Sequence, residues 1–136
     1  MKLRVLPILS ALLILAGCAV SADNNGVTTG ATDPTYKQVS MREAAEIIKS
    51  ESDYIILDVR RSDEFAEGHI PGAINIPNES IGNDEIPALP DKNRLILVYC
   101  RSGRRSKEAS AKLVKSGYTN IVEIGGILDW TGEIEK

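Results

Sequence analysis

Residues 99–106 read YCRSGRRS: one cysteine, Cys100, followed within five positions by Arg101, Arg104 and Arg105, in a chain of 136 residues whose formal net charge is −3. The reactive form of cysteine is the thiolate, and a thiol ionises more readily beside arginine and at a helix N-terminus. Both causes are written into this stretch, because the pattern opens a helix at about Arg105. Ser102 and Gly103 are turn formers, and Gly103 permits the positive φ at which successive backbone N–H groups converge on one anion. The loop is therefore suited to holding negative charge on a nucleophilic sulfur, which an inert buried cysteine would not require.

Loop length narrows the chemistry. In phosphatases built on a reactive cysteine, five residues separate that cysteine from an arginine that clasps phosphate bidentately. Counting from Cys100 puts that position at Ser106, and the nearest arginine, Arg105, closes a shorter ring. A smaller ring of amides suits a smaller group than phosphate. Phosphatase and arsenate reductase chemistry are disfavoured on this ground.

The elements that must position the loop follow from patterning. Ser40 and Glu43 form a capping box, and Met41, Ala44, Ile47 and Ile48 share one helical face, which predicts a helix over 41–50. YIILDV (54–59) and LILVY (95–99) are β-rich runs without alternation, as in strands covered on both faces. Between them lie a short helical candidate at 62–67, the segment GHIPGAINIP (68–77) and a weaker helical candidate near 79–86. Residues 105–116 place Ala109, Leu113 and Val114 on one face and stop at Gly117. NIVEI (120–124) is a further strand, and GGILDWTG (125–132) reads as a turn into a short helix carrying Trp130, a core residue. Alternating strand and helix implies an α/β fold with a mostly parallel sheet flanked by helices. Cys100, between a strand and a helix, sits at a strand's carboxyl end, where open α/β sheets bind ligands. Aromatic residues make up only 4% of the chain, so its single core must be built from Ile, Leu, Val and Ala.

The first 18 residues, MKLRVLPILSALLILAGC, carry Lys2 and Arg4, then a short apolar run, then small residues ending at Cys18. This is the pattern of an export signal, too short for a comfortable bilayer span. Leu15-Ala16-Gly17-Cys18 resembles the bacterial lipobox, which implies lipidation of Cys18 after removal of residues 1–17 and an envelope location, periplasmic or on the outer face of a membrane. Residues 18–36 then form a lipidated N-terminus and a polar, turn-rich tether, and the domain occupies 37–136. Loss of residues 1–17 leaves 14 basic against 19 acidic residues, a net of −5, which argues against nucleic acid as a partner. The chain has two cysteines, so a lipidated Cys18 leaves Cys100 with no disulfide partner in an oxidising compartment.

Several separated motifs, LDVR (57–60), EFAEGHIPGAINIP (64–77), VYCRSGRRS (98–106) and GGILDW (125–130), stand in the order of the single-domain rhodaneses, and residues 37–136 resemble that sulfurtransferase family. The resemblance implies a five-stranded parallel sheet with helices on both faces. It implies Cys100 as the nucleophile that carries a persulfide, and a cradle of Arg101, Ser102, Gly103, Arg104 and Arg105 around its outer sulfur. Asp58 and Arg60 match a supporting pair. The implied activity moves a sulfane sulfur from an anionic donor such as thiosulfate to cyanide or a thiol, with no cofactor and no metal. A sulfur carrier, a sensor or a protein-binding module on the same fold is the alternative, and no protein partner is specified. Read from its neighbours, His69 fixes a turn by hydrogen bonding. Asp58 serves as a buried acceptor, and Arg105 points partly toward structural carboxylates.

Overall fold

The computed structural model describes residues 35–136; the leader, most of the tether and Cys18 lie outside the described residues. Five strands, β1 (Lys37–Gln38), β2 (Tyr54–Asp58), β3 (Ile74–Asn75), β4 (Leu95–Cys100) and β5 (Ile121–Gly126), form one sheet in the order β1-β5-β4-β2-β3. All pairings are parallel. Three helices, α1 (Met41–Ser50), α2 (Ser62–Glu67) and α3 (Arg104–Lys115), connect or flank them.

The uninterrupted apolar character of β4 has a direct cause. Ile96, Val98 and Cys100 face a cluster with Leu57, Ala109 and Leu113 on the α3 side, while Leu97 and Tyr99 face a second cluster with Met41, Ala44 and Ile124 on the α1 side. Both faces are buried, so no polar face exists to alternate with. α1 begins as the sequence implies: the Glu43 N–H donates to Ser40 Oγ at 3.2 Å and the Ser40 N–H donates to the Glu43 carboxylate at 2.8 Å. The connection leaving β2 places Phe65 of α2 on the α1 face, whereas that leaving β4 runs through α3 on the opposite face. The carboxyl ends of β2 and β4 therefore flank the point where connections diverge, the place where such sheets open a crevice.

Three expectations need correction. The candidate helix near 79–86 is a single 3₁₀ turn at Asn78–Ser80, and 81–94 contains no helix or strand. Pro87 and Pro90 lack amide hydrogens and disfavour helical backbone in the residues before them, although Ile81 and Leu89 still anchor the segment in the α3-side core. The short helix in 125–132 is a 3₁₀ turn, Ile127–Asp129, because β5 runs on through Gly125 and Gly126. Trp130 is half-buried rather than interior: its ring packs on the α1-side cluster while its indole N–H donates to the Glu133 carbonyl at 2.9 Å.

Leu113 is fully buried where α3 meets the sheet. Leu113→Ala is expected to cost about 3 kcal/mol through lost burial and the cavity left behind, read as a lowered urea midpoint with an unchanged slope.

Candidate active site

Cys100 ends β4 with 1% of its surface exposed, and α3 starts four residues later. The turn between them is made possible by Gly103, whose φ of 107° lies in the left-handed region. This conformation aims the Gly103 N–H at the sulfur, 3.0 Å from Sγ. Ser106, in the first turn of α3, places its hydroxyl 3.5 Å from the same sulfur. Burial pushes the Cys100 thiol up, but hydrogen bonds from the Ser106 side chain and from the backbones of Ser106, Gly103 and Ser102 outweigh it, and the thiol is held below its ordinary value. The cradle is thus formed by backbone amides around the sulfur.

The arginines divide between two tasks. Arg101 is exposed, with no side-chain hydrogen bond or ion pair among the described residues, and Arg104 is exposed while pairing with Glu108 at 2.8 Å. Arg105 is half-buried and gives both of its terminal nitrogens to Glu64, at 2.7 and 2.9 Å. It remains close enough to interact electrostatically with Cys100. Arg105 accordingly fixes the base of the loop, as its expected turn toward carboxylates implies, whereas Arg101 and Ser102 stand at the open rim. Beside them Leu128, 63% exposed, donates its N–H to the Arg101 carbonyl at 3.3 Å.

Asp58 and Arg60 lie at the carboxyl end of β2. Asp58 is fully buried, and its carboxylate accepts from Arg60 Nη2 at 2.6 Å, from Nε at 3.0 Å and from the Arg60 N–H at 2.9 Å. The same guanidinium donates to the Gly68 carbonyl at 2.7 Å. α2 is thereby clamped at both ends, from Arg60 before it to Gly68 after it. Since α2 carries Glu64, the pair positions Arg105 through two steps and never reaches the sulfur itself. His69 is built into the turn after α2, its Nδ1 hydrogen-bonded to the Phe65 carbonyl at 3.1 Å and its ring stacked on Phe65 at 3.7 Å. That geometry accords with a turn-fixing role.

Sequence reading gave no role to four residues that build the cradle. Ser106 was a marker of loop length only, and Glu64, Glu123 and Gly126 were unassigned. Glu123 is 2% exposed on β5 and bonds the Ser106 hydroxyl at 2.5 Å and the Gly125 N–H at 2.9 Å. Gly126 pairs in register with Cys100, and a Cβ there would collide with the Arg101 carbonyl and lie 2.6 Å from Ser102 Cα. The one signal available was the pair of glycines closing β5, which marks a close approach of backbone.

The family model for the rhodanese-like domain matches residues 40–133. Among curated proteins, the chain is 40% identical over 73 residues to thiosulfate sulfurtransferase PspE of Escherichia coli, a match covering 54% of this chain and 70% of that one. It is 35% identical over 96 residues to thiosulfate sulfurtransferase GlpE of Coxiella burnetii, covering 70% of this chain and 87% of the relative. Among solved structures, a rhodanese with anions from E. coli superposes with a TM-score of 0.56 at 37% identity, over 61% of this chain and 98% of that one.

Two outcomes test the site's construction. Gly126→Ala should push the loop off β5 and slow alkylation of Cys100 roughly tenfold or more, read by mass spectrometry of the Cys100 peptide. The Glu64 carboxyl is held down to about 2, chiefly by its hydrogen bonds from Arg105. A folded value below the ordinary 4.5 means that the pair's stabilisation is complete above 4.5 and is lost as pH falls towards 2. In Glu64→Gln, the fall in urea midpoint across that window should be shallower than in the unaltered chain.

Proposed function

The chain belongs to the rhodanese-like domain family, and from that premise we propose that it is a thiosulfate-type sulfurtransferase working through a Cys100 persulfide. The observation that carries this reading is the sulfur of Cys100, buried at a strand end and hydrogen-bonded by the Gly103 amide, with an exposed arginine, Arg101, at the rim. Thiosulfate is drawn to Arg101 and Arg104. The Cys100 thiolate attacks its outer sulfur, the bond to the sulfite sulfur breaks, and sulfite leaves with the electron pair. The persulfide's terminal sulfur is anionic and rests in the amides of Ser102 to Arg105, where the α3 N-terminus adds its positive end. Cyanide or a thiolate then takes that sulfur and the electron pair returns to Sγ.

The curated relatives named as thiosulfate sulfurtransferases support this donor. The lipobox-like LAGC at 15–18 supports an exported, lipid-anchored location at the envelope, with residues 1–17 removed and the domain carried on a tether. Ping-pong kinetics follow from the covalent intermediate.

The test is intact-mass measurement of the full-length chain after incubation with thiosulfate. A gain of one sulfur atom that cyanide reverses and that Cys100→Ser abolishes is the expected result. Absence of any gain overturns the proposal. Loading without repeated turnover in the presence of cyanide would replace transfer by carriage of sulfur.

A further inference from the structure

Glu123 is a buried carboxylate that makes no ion pair among the described residues, an expensive arrangement unless its hydrogen bonds have a purpose. Its surroundings are specific. The Tyr36 phenol, pushed up by burial and then by the Glu123 charge, approaches from the segment before β1. Ser106 approaches from α3 and Cys100 lies beyond Ser106 at the end of β4, where Arg105 also acts on the sulfur electrostatically.

The Ser106 hydroxyl has one proton and four acceptors within reach: Glu123 Oε1 at 2.5 Å, the Gly103 carbonyl at 2.9 Å, the Gly125 carbonyl at 3.4 Å and Cys100 Sγ at 3.5 Å. A carboxylate is the strongest of these acceptors, and its bond is also the shortest. While the proton is committed there, Ser106 offers the sulfur a lone pair, and the Ser106 hydrogen bond that favours the thiolate forms only when the hydroxyl turns from the carboxylate to the sulfur. We propose that Glu123 is a positioning residue that governs Cys100 through Ser106, as the far end of a two-step proton relay. The Sγ–H bond breaks as a proton passes to Ser106 Oγ, and the original Oγ–H bond breaks as its proton passes to Glu123. The pair keeps one negative charge, now on sulfur, and no oxidation occurs. Ser106 no longer donates to an ionised carboxylate, so its hydroxyl is free to turn to the sulfur anion. The reverse sequence returns the proton when the enzyme rests.

This inference rests on Cys100 as the nucleophile of the proposed reaction, yet its test needs no sulfur transfer. The readout is the rate of iodoacetamide alkylation at Cys100 against pH, measured by mass spectrometry of the Cys100 peptide in the full-length chain. Glu123→Gln should move the midpoint of this profile by about one pH unit towards acid, because the charge is lost and the Ser106 hydroxyl is released to the sulfur. In a Ser106→Ala background the same substitution should displace the profile by less than half as much. Glu123→Gln and unaltered profiles that share midpoint and shape, whatever their rates, would overturn the relay, since loop ordering alone changes rate at every pH equally. Equal displacement in both backgrounds would overturn it too. Should Glu123→Gln not fold, Ser106→Thr keeps a hydroxyl and is expected to keep the unaltered midpoint, whereas Ser106→Ala moves it; identical profiles for Thr and Ala count against the relay.

Discussion

The site depends on one 3.0 Å hydrogen bond, from the Gly103 amide to the sulfur of Cys100. An amide aimed at a buried sulfur needs a backbone that turns back within three residues, and this sets the left-handed φ of Gly103 and the start of α3 at Arg104. It also needs room behind the turn, which Gly126 provides by bringing β5 close without a side chain. The shift of register between Val98 and Cys100 fits the same demand, since β5 advances three residues while β4 advances two. Sheet, bulge and helix start are thus consequences of where one sulfur must lie.

Charge is distributed around that bond by function. Arg105 is withdrawn into a bidentate pair with Glu64 and stabilises the loop, while Arg101 keeps its charge at the rim. Behind the pair stands the fully buried Asp58, whose hold on Arg60 clamps α2 at both ends. A charge so deep cannot lose its partner cheaply. The route from β2 to the cradle therefore consists of ion pairs that reinforce one another in a row, Asp58 to Arg60 and Glu64 to Arg105.

Much of this was legible in the sequence because the signals are local. The capping box at Ser40, the doubly buried runs 54–59 and 95–99, and the Gly103 turn each declare themselves within a few residues. β1 and β3, two residues each, carry no period from which they could be read; their number came from family resemblance alone. The weak helical candidate near 79–86 misled because the residues that oppose a helix there, Pro87 and Pro90, lie just beyond it. Glu123 was invisible for another reason. Within NIVEI it reads as a polar residue of a strand, and only the fold brings it against Ser106, seventeen positions earlier.

The shortness of the outer strands reaches beyond the single molecule. β1 and β3 close the two edges of the sheet, and each offers a neighbour only two residues of backbone. A parallel sheet with long open edges invites strand addition from another copy. Here the long strands β2, β4 and β5 are all interior, so crowding copies together gives them no ladder to extend. Such a domain can be crowded against copies of itself and still meet them mainly through side chains.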